Sequence, residues 1–203
     1  MPRSGEKTKK QILDAAHELV MGHGLAGTSI DKVLAKAQVT KGAFFYHFKT
    51  KADLAKALVQ RYVERERLYL EGNIIRAEKL SRDPLQQVLI LIGLYREEIE
   101  QGYDPNDGCL VSSYTYQFED LDAQVQDLVL ETFARRQQCF TEKFVAVLDQ
   151  YTPRFPVTAE ELADGLLSMF LGGYILMRVK QDPLKMSMQL ASYRNYIELL
   201  FAV

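Results

Sequence analysis

Apolar residues recur at three- and four-residue intervals along most of the chain, and the polar breaks between them carry helix start and stop signals. Ile12, Ala15, Ala16, Leu19 and Val20 form the first stripe. It predicts a helix from about Thr8 to Met21, ended by Gly22 and Gly24. Thr28-Ser29-Ile30-Asp31 reads as a capping box opening a short helix with the stripe Ile30, Val33, Leu34. Ala37-Gln38-Val39 is a turn-length gap, and Thr40 is placed to cap a third helix. In that helix Phe44 and Phe48 stand four apart, on one buried face. Thr50-Lys51-Ala52-Asp53 is another start signal, opening a helix with Leu54, Leu58 and Tyr62 on one side and reaching Leu70 or beyond.

The second half repeats the pattern with larger apolar content. Asp83-Pro84 starts a helix through Leu85, Val88, Leu89, Ile92, Leu94, Tyr95 and Ile99, stopping near Gly102. Asp104 to Gly108 is a turn cluster. Cys109 to Phe118 alternates enough to pass for a strand, but no partner strand is evident, so a helix is expected. Asp120 or Asp122 starts a long helix through Leu128, Phe133, Phe140, Phe144 and Leu148. Thr158-Ala159-Glu160-Glu161 is a capping box opening a helix to about Val179, and after Gln181-Asp182-Pro183 a last helix runs to the C-terminus. The expected fold is all-α, with about nine helices.

The third helix has a readable surface. Behind it lie Phe44 and Phe48; in front lie Lys41, Gly42, Ala43, Phe45, Tyr46 and His47, with Lys49 and Lys51 just beyond. A short helix with a small, cationic, hydrogen-bonding front suits the major groove, which admits one helix. Two short helices joined by a tight turn, the second carrying that face, make a helix-turn-helix. Residues from about 8 to 55 closely resemble the N-terminal domain of the TetR family of bacterial transcription regulators. The resemblance rests on Ile12-Leu13-Asp14-Ala15-Ala16, Gly24 to Thr28, Val39-Thr40-Lys41-Gly42 and Tyr46-His47-Phe48-Lys49-Thr50-Lys51.

Composition agrees with a polyanion-binding head. Residues 1–51 hold nine Lys/Arg and four Asp/Glu, a surplus of +5, while the rest carries −7 within a net charge of −2. Residues 1–7 are expected to form a polar arm with Arg3 and Lys7. At 47% hydrophobic and 26% charged, the chain is of ordinary globular composition. No apolar leader opens it, and Leu166 to Met177, its most apolar stretch, is shorter than the roughly 20 residues of a membrane span. Two cysteines argue against a disulfide framework and for a reducing cytoplasm. His17, His23 and His47 have no metal-ligand spacing, and neither a phosphate loop nor a nucleophile elbow is present. No cofactor or enzymatic activity is expected, and Gly172-Gly173 is read as close helix packing.

The resemblance implies a head at residues 1–52, a joining helix at 51–72, and a ligand-binding and dimerisation body at 53–203. It implies that Lys41 and the Gly42 backbone reach the groove floor or its edge, and that Tyr46 and His47 clamp phosphates. Thr28, Thr40 and Lys51 are implied as further backbone contacts, with Ala43 on the same face. Phe45, often tyrosine in the family, is expected to touch a thymine methyl. The partners implied are an operator in double-stranded DNA and a second copy of the chain. The dimer surface is expected on the last two helices at Leu166, Met169, Phe170, Gly173, Leu190, Tyr193, Tyr196, Ile197 and Leu200. A small lipophilic or aromatic inducer is implied in the body. Candidate liners are Tyr95, Tyr103, Tyr114, Tyr116, Phe118, Phe133, Phe140, Phe170, Tyr174 and Met177. Cys109, after a turn, is a candidate ligand contact or reactive thiol resembling the Gly-Cys of TetR-like electrophile sensors. The alternatives to an inducible repressor are a sensor modified at Cys109, an activator, and a thiol redox enzyme using Cys109 and Cys139.

Overall fold

Nine α-helices, one short 3-10 turn and no strand make up the residues described by the computed structural model, which are 2–102, 109–115 and 118–202. In order they are α1 (Pro2–His23), α2 (Ile30–Ala37), α3 (Lys41–His47), α4 (Lys51–Leu80), α5 (Pro84–Gly102), α6 (Leu110–Thr115), the turn Phe118–Asp120, α7 (Ala123–Leu148), α8 (Ala159–Lys180) and α9 (Leu184–Phe201). The expected all-α class is observed.

Local hydrogen bonds explain the helix starts. The Thr40 hydroxyl accepts from the Ala43 N–H at 3.2 Å and caps α3. Thr50 and Asp53 form a reciprocal box at the head of α4, with bonds of 2.9 and 3.0 Å. Asp83 accepts from the Gln86 N–H at 2.8 Å, and Thr158 and Glu161 complete the capping box of α8. At α2 the cap is Ser29, not Thr28: its hydroxyl accepts from Lys32 N–H at 3.3 Å. Thr28 turns inward instead and donates to the Gly24 carbonyl at 2.8 Å.

Two helices are longer than expected. α1 begins at Pro2 rather than Thr8, so the expected polar arm is helical; proline suits a first helical position. α4 continues past residue 72 to Leu80, because Arg, Glu, Leu and Lys keep helix propensity high where the apolar stripe fades. α8 spans 22 residues and is long and apolar enough, by length and composition alone, to cross a membrane. This corrects the reading of Leu166 to Met177 as too short, since Ala159, Leu162 and Ala163 extend the apolar run.

The residues group into two compact units. The first holds residues 1–65 and 109–132. In it α1 packs against α2, α3 and α6, over a core that includes Ile12, Ala16, Val33, Phe44, Phe48 and Leu58. Burying each such large side chain stabilises by about 1.5–3 kcal/mol. The second unit holds residues 66–108 and 133–203. There α9 packs on both α8 and α5, with Ile92, Phe140, Leu166, Met177, Leu190 and Ile197 in the core. The Tyr193 hydroxyl donates to the Leu162 carbonyl at 2.5 Å, tying α9 to α8. α8 and α9 approach closely at Gly173, where a Cβ would stand 3.0 Å from Met186 Cγ. Gly172 faces open space, so only the second glycine of the pair bears out the packing reading. The grouping places α6 and the start of α7 with the N-terminal helices: α6 packs on α1, and Lys56 of α4 donates to Gln124 of α7.

Candidate nucleic-acid interface

The turn before α3 is tight because Gln38 adopts φ 54°, ψ 42° and donates its N–H to the Leu34 carbonyl, closing α2. α3 then seats itself through Phe44 and Phe48, whose rings lie 5.8 Å apart and are almost wholly buried. With these two facing inward, the 3.6-residue period turns Lys41, Gly42 and Tyr46 outward. Tyr46 is 76% exposed. Its ring meets His47 edge-on at 4.9 Å, which orients both side chains at the end of the helix. Thr40 and Lys41 are exposed, and Ala43, Phe45 and His47 are half-buried. A Cβ on Gly42 would meet nothing within 4 Å, so the surface there is bare backbone. Lys49 donates to the Phe45 carbonyl at 2.8 Å, and Phe45 packs edge-on against Phe44 at 5.3 Å.

Two nominated contacts sit differently. Thr28 is only 2% exposed and its hydroxyl is spent on Gly24, so it braces the turn and offers no hydroxyl at the surface. Lys51 is half-buried beside a cleft of about 230 Å³ that also has Asp120 and Asp122 in its wall, and burial lowers its pKa.

The candidate ligand residues divide between the units. Cys109, Tyr114 and Phe118 belong to the first; Tyr95, Phe133, Phe140, Phe170, Tyr174 and Met177 belong to the second. Tyr103 and Tyr116 lie outside the described residues. Cys109 is buried at the head of α6, where its Sγ accepts from the Ser112 N–H at 3.4 Å. Tyr114 is buried, and its hydroxyl has no hydrogen-bond partner among the described residues; burial raises its pKa. Tyr95 and Phe170 meet edge-on at 4.8 Å, Phe170 stacks with Phe140 at 6.2 Å, and Tyr69 joins Tyr95 at 5.3 Å. Beside this ring cluster runs a mostly buried ion pair, Arg136 with Glu66 at 2.7 Å. Burial of the Tyr95 hydroxyl raises its pKa. Neither Tyr69 nor the ion pair follows from the sequence pattern; the first depends on α4 lying against α5 and the second on α4 lying against α7, which no local spacing encodes. Among the described residues no group of three or more His, Cys, Asp or Glu is placed to hold a metal.

Seven of the nine expected dimer contacts, all but Met169 and Tyr196, are buried within the protomer. The outward apolar residues of these helices are others: Ile175, Leu176 and Val179 on α8, and Leu184, Met188 and Leu199 on α9. Positions 175 and 179, and 184, 188 and 199, repeat at helical spacing, so each helix keeps an outer stripe as well as an inner one.

Comparison with known proteins agrees with this geometry. The family model described as "Bacterial regulatory proteins, tetR family" matches residues 12–58, which contain α2, α3 and their flanks. An uncharacterised HTH-type transcriptional regulator in the lacX 3′ region of Lactococcus lactis subsp. lactis is 24% identical over 176 residues, covering 86% of this chain and 85% of that one. The HTH-type transcriptional repressor DhaR of Mycobacterium sp. (strain GP1) is 18% identical over 174 residues, covering 86% and 84%. Among solved structures, a TetR-family regulator from Agrobacterium tumefaciens superposes with a TM-score of 0.78 at 20% identity, over 95% of this chain and 98% of that one.

Proposed function

We propose that the chain, whose residues 12–58 match the tetR-family model and whose fold is that of TetR-family regulators, is a cytoplasmic homodimeric repressor released from its operator by a small apolar or aromatic inducer. The observation that carries the reading is α3, a helix with two buried phenylalanines behind and Lys41, bare Gly42 backbone, Tyr46 and His47 in front. Lys41 reaches a guanine edge or a phosphate, and the open space at Gly42 admits the duplex backbone or base edges closely. Tyr46 and His47 fix the register on phosphates, with Thr40 and Lys51 alongside. Phe45 and Ala43 supply apolar contact to a thymine methyl.

Two heads on a two-fold axis read a pseudo-palindromic site with half-sites about 34–36 Å apart. The outer stripes of α8 and α9 join the copies. The inducer is held in the body against the Tyr95, Phe140 and Phe170 rings, and release follows because it prefers the state that does not fit DNA. α4 and α7 each contribute residues to both compact units, which supports them as the route. By linkage the operator weakens inducer binding by the same factor. The name of DhaR supports a repressor over an activator. No observation favours a redox enzyme, and the burial of Cys109 disfavours a thiol sensor.

The test is a DNA-binding titration against the region upstream of the protein's own gene, at two salt concentrations, with wild type and Tyr46→Ala. Specific, salt-sensitive binding that Tyr46→Ala loses establishes the reading. Equal, weak binding to any DNA after ligand stripping and thiol reduction rejects it.

A further inference from the structure

The first unit holds a cleft of about 400 Å³ that the DNA-binding reading does not use, and it lies between α1 and α4. From α1 come Asp14, His17 and Glu18; from α4 come Leu58, Arg61, Tyr62 and Arg65. The spacings 14, 17, 18 and 58, 61, 62, 65 each mark one helix face. Most of these charges are already matched. Arg61 pairs with Asp14 at 2.7 Å and donates to the Leu13 carbonyl at 3.0 Å. Glu18 pairs with Lys36 of α2 at 2.5 Å. Arg65 differs: its guanidinium lies 5.5 Å from the Tyr62 ring centroid, and among the described residues it has no carboxylate partner. The cleft therefore has one surplus cation, an imidazole beside it, and an apolar floor.

We propose that this cleft is an effector site for a small organic monocarboxylate, its carboxylate held by Arg65 and His17 and its apolar body resting on Leu58 and Tyr62. The charge pattern selects the class. A dianion such as sulfate meets Asp14 and Glu18 in the same wall, whereas a single negative charge matches the single unpaired guanidinium. The planar guanidinium binds a carboxylate through two parallel bonds. Occupancy acts on the head directly, because α1 packs against both α2 and α3.

His17 provides a signature that mere surface binding lacks. Burial is the main cause lowering its pKa, followed by Arg65 and Arg61, while Asp14 and Glu18 oppose them. A carboxylate placed beside it raises that pKa. Binding therefore tightens as pH falls between the bound and free values, by up to tenfold per pH unit.

The experiment is a benzoate titration of the full chain followed by imidazole NMR at pH 6.0 and 7.5, with ionic strength held constant by chloride. The chain has three histidines, and His17→Gln assigns the resonance. The expected result is a saturable change at the His17 resonance, at least several-fold tighter at pH 6.0, weaker with acetate, and absent in Arg65→Gln. Arg65→Lys, which keeps the charge, retains part of the binding and guards against a folding artefact. An unmoved His17, an equal response to sulfate, equal affinity for acetate, or an unchanged response in folded Arg65→Gln overturns the proposal.

Discussion

Tyr46 and Phe44 stand two positions apart on one seven-residue helix and have opposite mutant signatures. Tyr46→Ala removes an exposed ring, so the melting temperature stays within a degree or two while operator affinity falls by about tenfold or more at fixed salt. Phe44→Ala empties a fully buried site and is expected to cost about 3–5 kcal/mol in urea unfolding. His17 carries a pH dependence of stability. Its folded pKa lies below the unfolded value of 6.5, so the unfolded chain binds more protons between the two. Stability is therefore full above about pH 6.5 and declines as pH falls towards the folded value. His17→Gln should flatten the melting temperature across pH 7 to 5, and an unchanged slope would refute this. The buried and exposed faces of α3 are readable in the sequence because Phe44 and Phe48 declare the buried one. The roles of Thr28 and Ser29 are not, since either hydroxyl satisfies the cap pattern and the path of the turn chooses between them.

Among the helices, the proposed role of the α8 and α9 outer stripes in joining two copies predicts that assembly and folding can be separated. Val179 and Leu199 are 72% and 65% exposed. Glutamate at both should leave helicity and unfolding of the protomer nearly unchanged while dissociating the dimer in analytical ultracentrifugation. Leu190→Ala should do the reverse, costing about 2–5 kcal/mol of stability through a core cavity. If the double glutamate variant still sedimented as a dimer, the partner would be held elsewhere. The sequence locates both helices but not the division of their faces. In α8 and α9 apolar residues occur all round, so periodicity alone leaves inner and outer stripes indistinguishable.

For the whole molecule, the proposed placing of two heads on one operator predicts a salt dependence that scales with assembly. Each phosphate contact contributes a slope of about −0.9 in log affinity against log salt. A dimer-breaking variant that retains folded heads should therefore bind with about half the slope of wild type and lose its preference for paired half-sites. A slope unchanged by dissociation would mean that one head alone engages the DNA.

Features that three or four neighbouring residues can enforce are written in the sequence. The capping boxes at Thr50 and Thr158, the cap at Thr40, the Asp83-Pro84 start and the seat of α3 all close bonds or contacts within one turn. Features that distant segments share come from the folded arrangement alone. Residues 109–132 join the unit of α1 to α3, with α6 packed on α1, although more than eighty positions separate α1 from α6. Arg136 finds Glu66, and Arg65 and His17 line one cleft. Such pairings depend on how whole helices stack to bury their stripes, and a spacing read along one stretch of chain contains no record of the helix opposite.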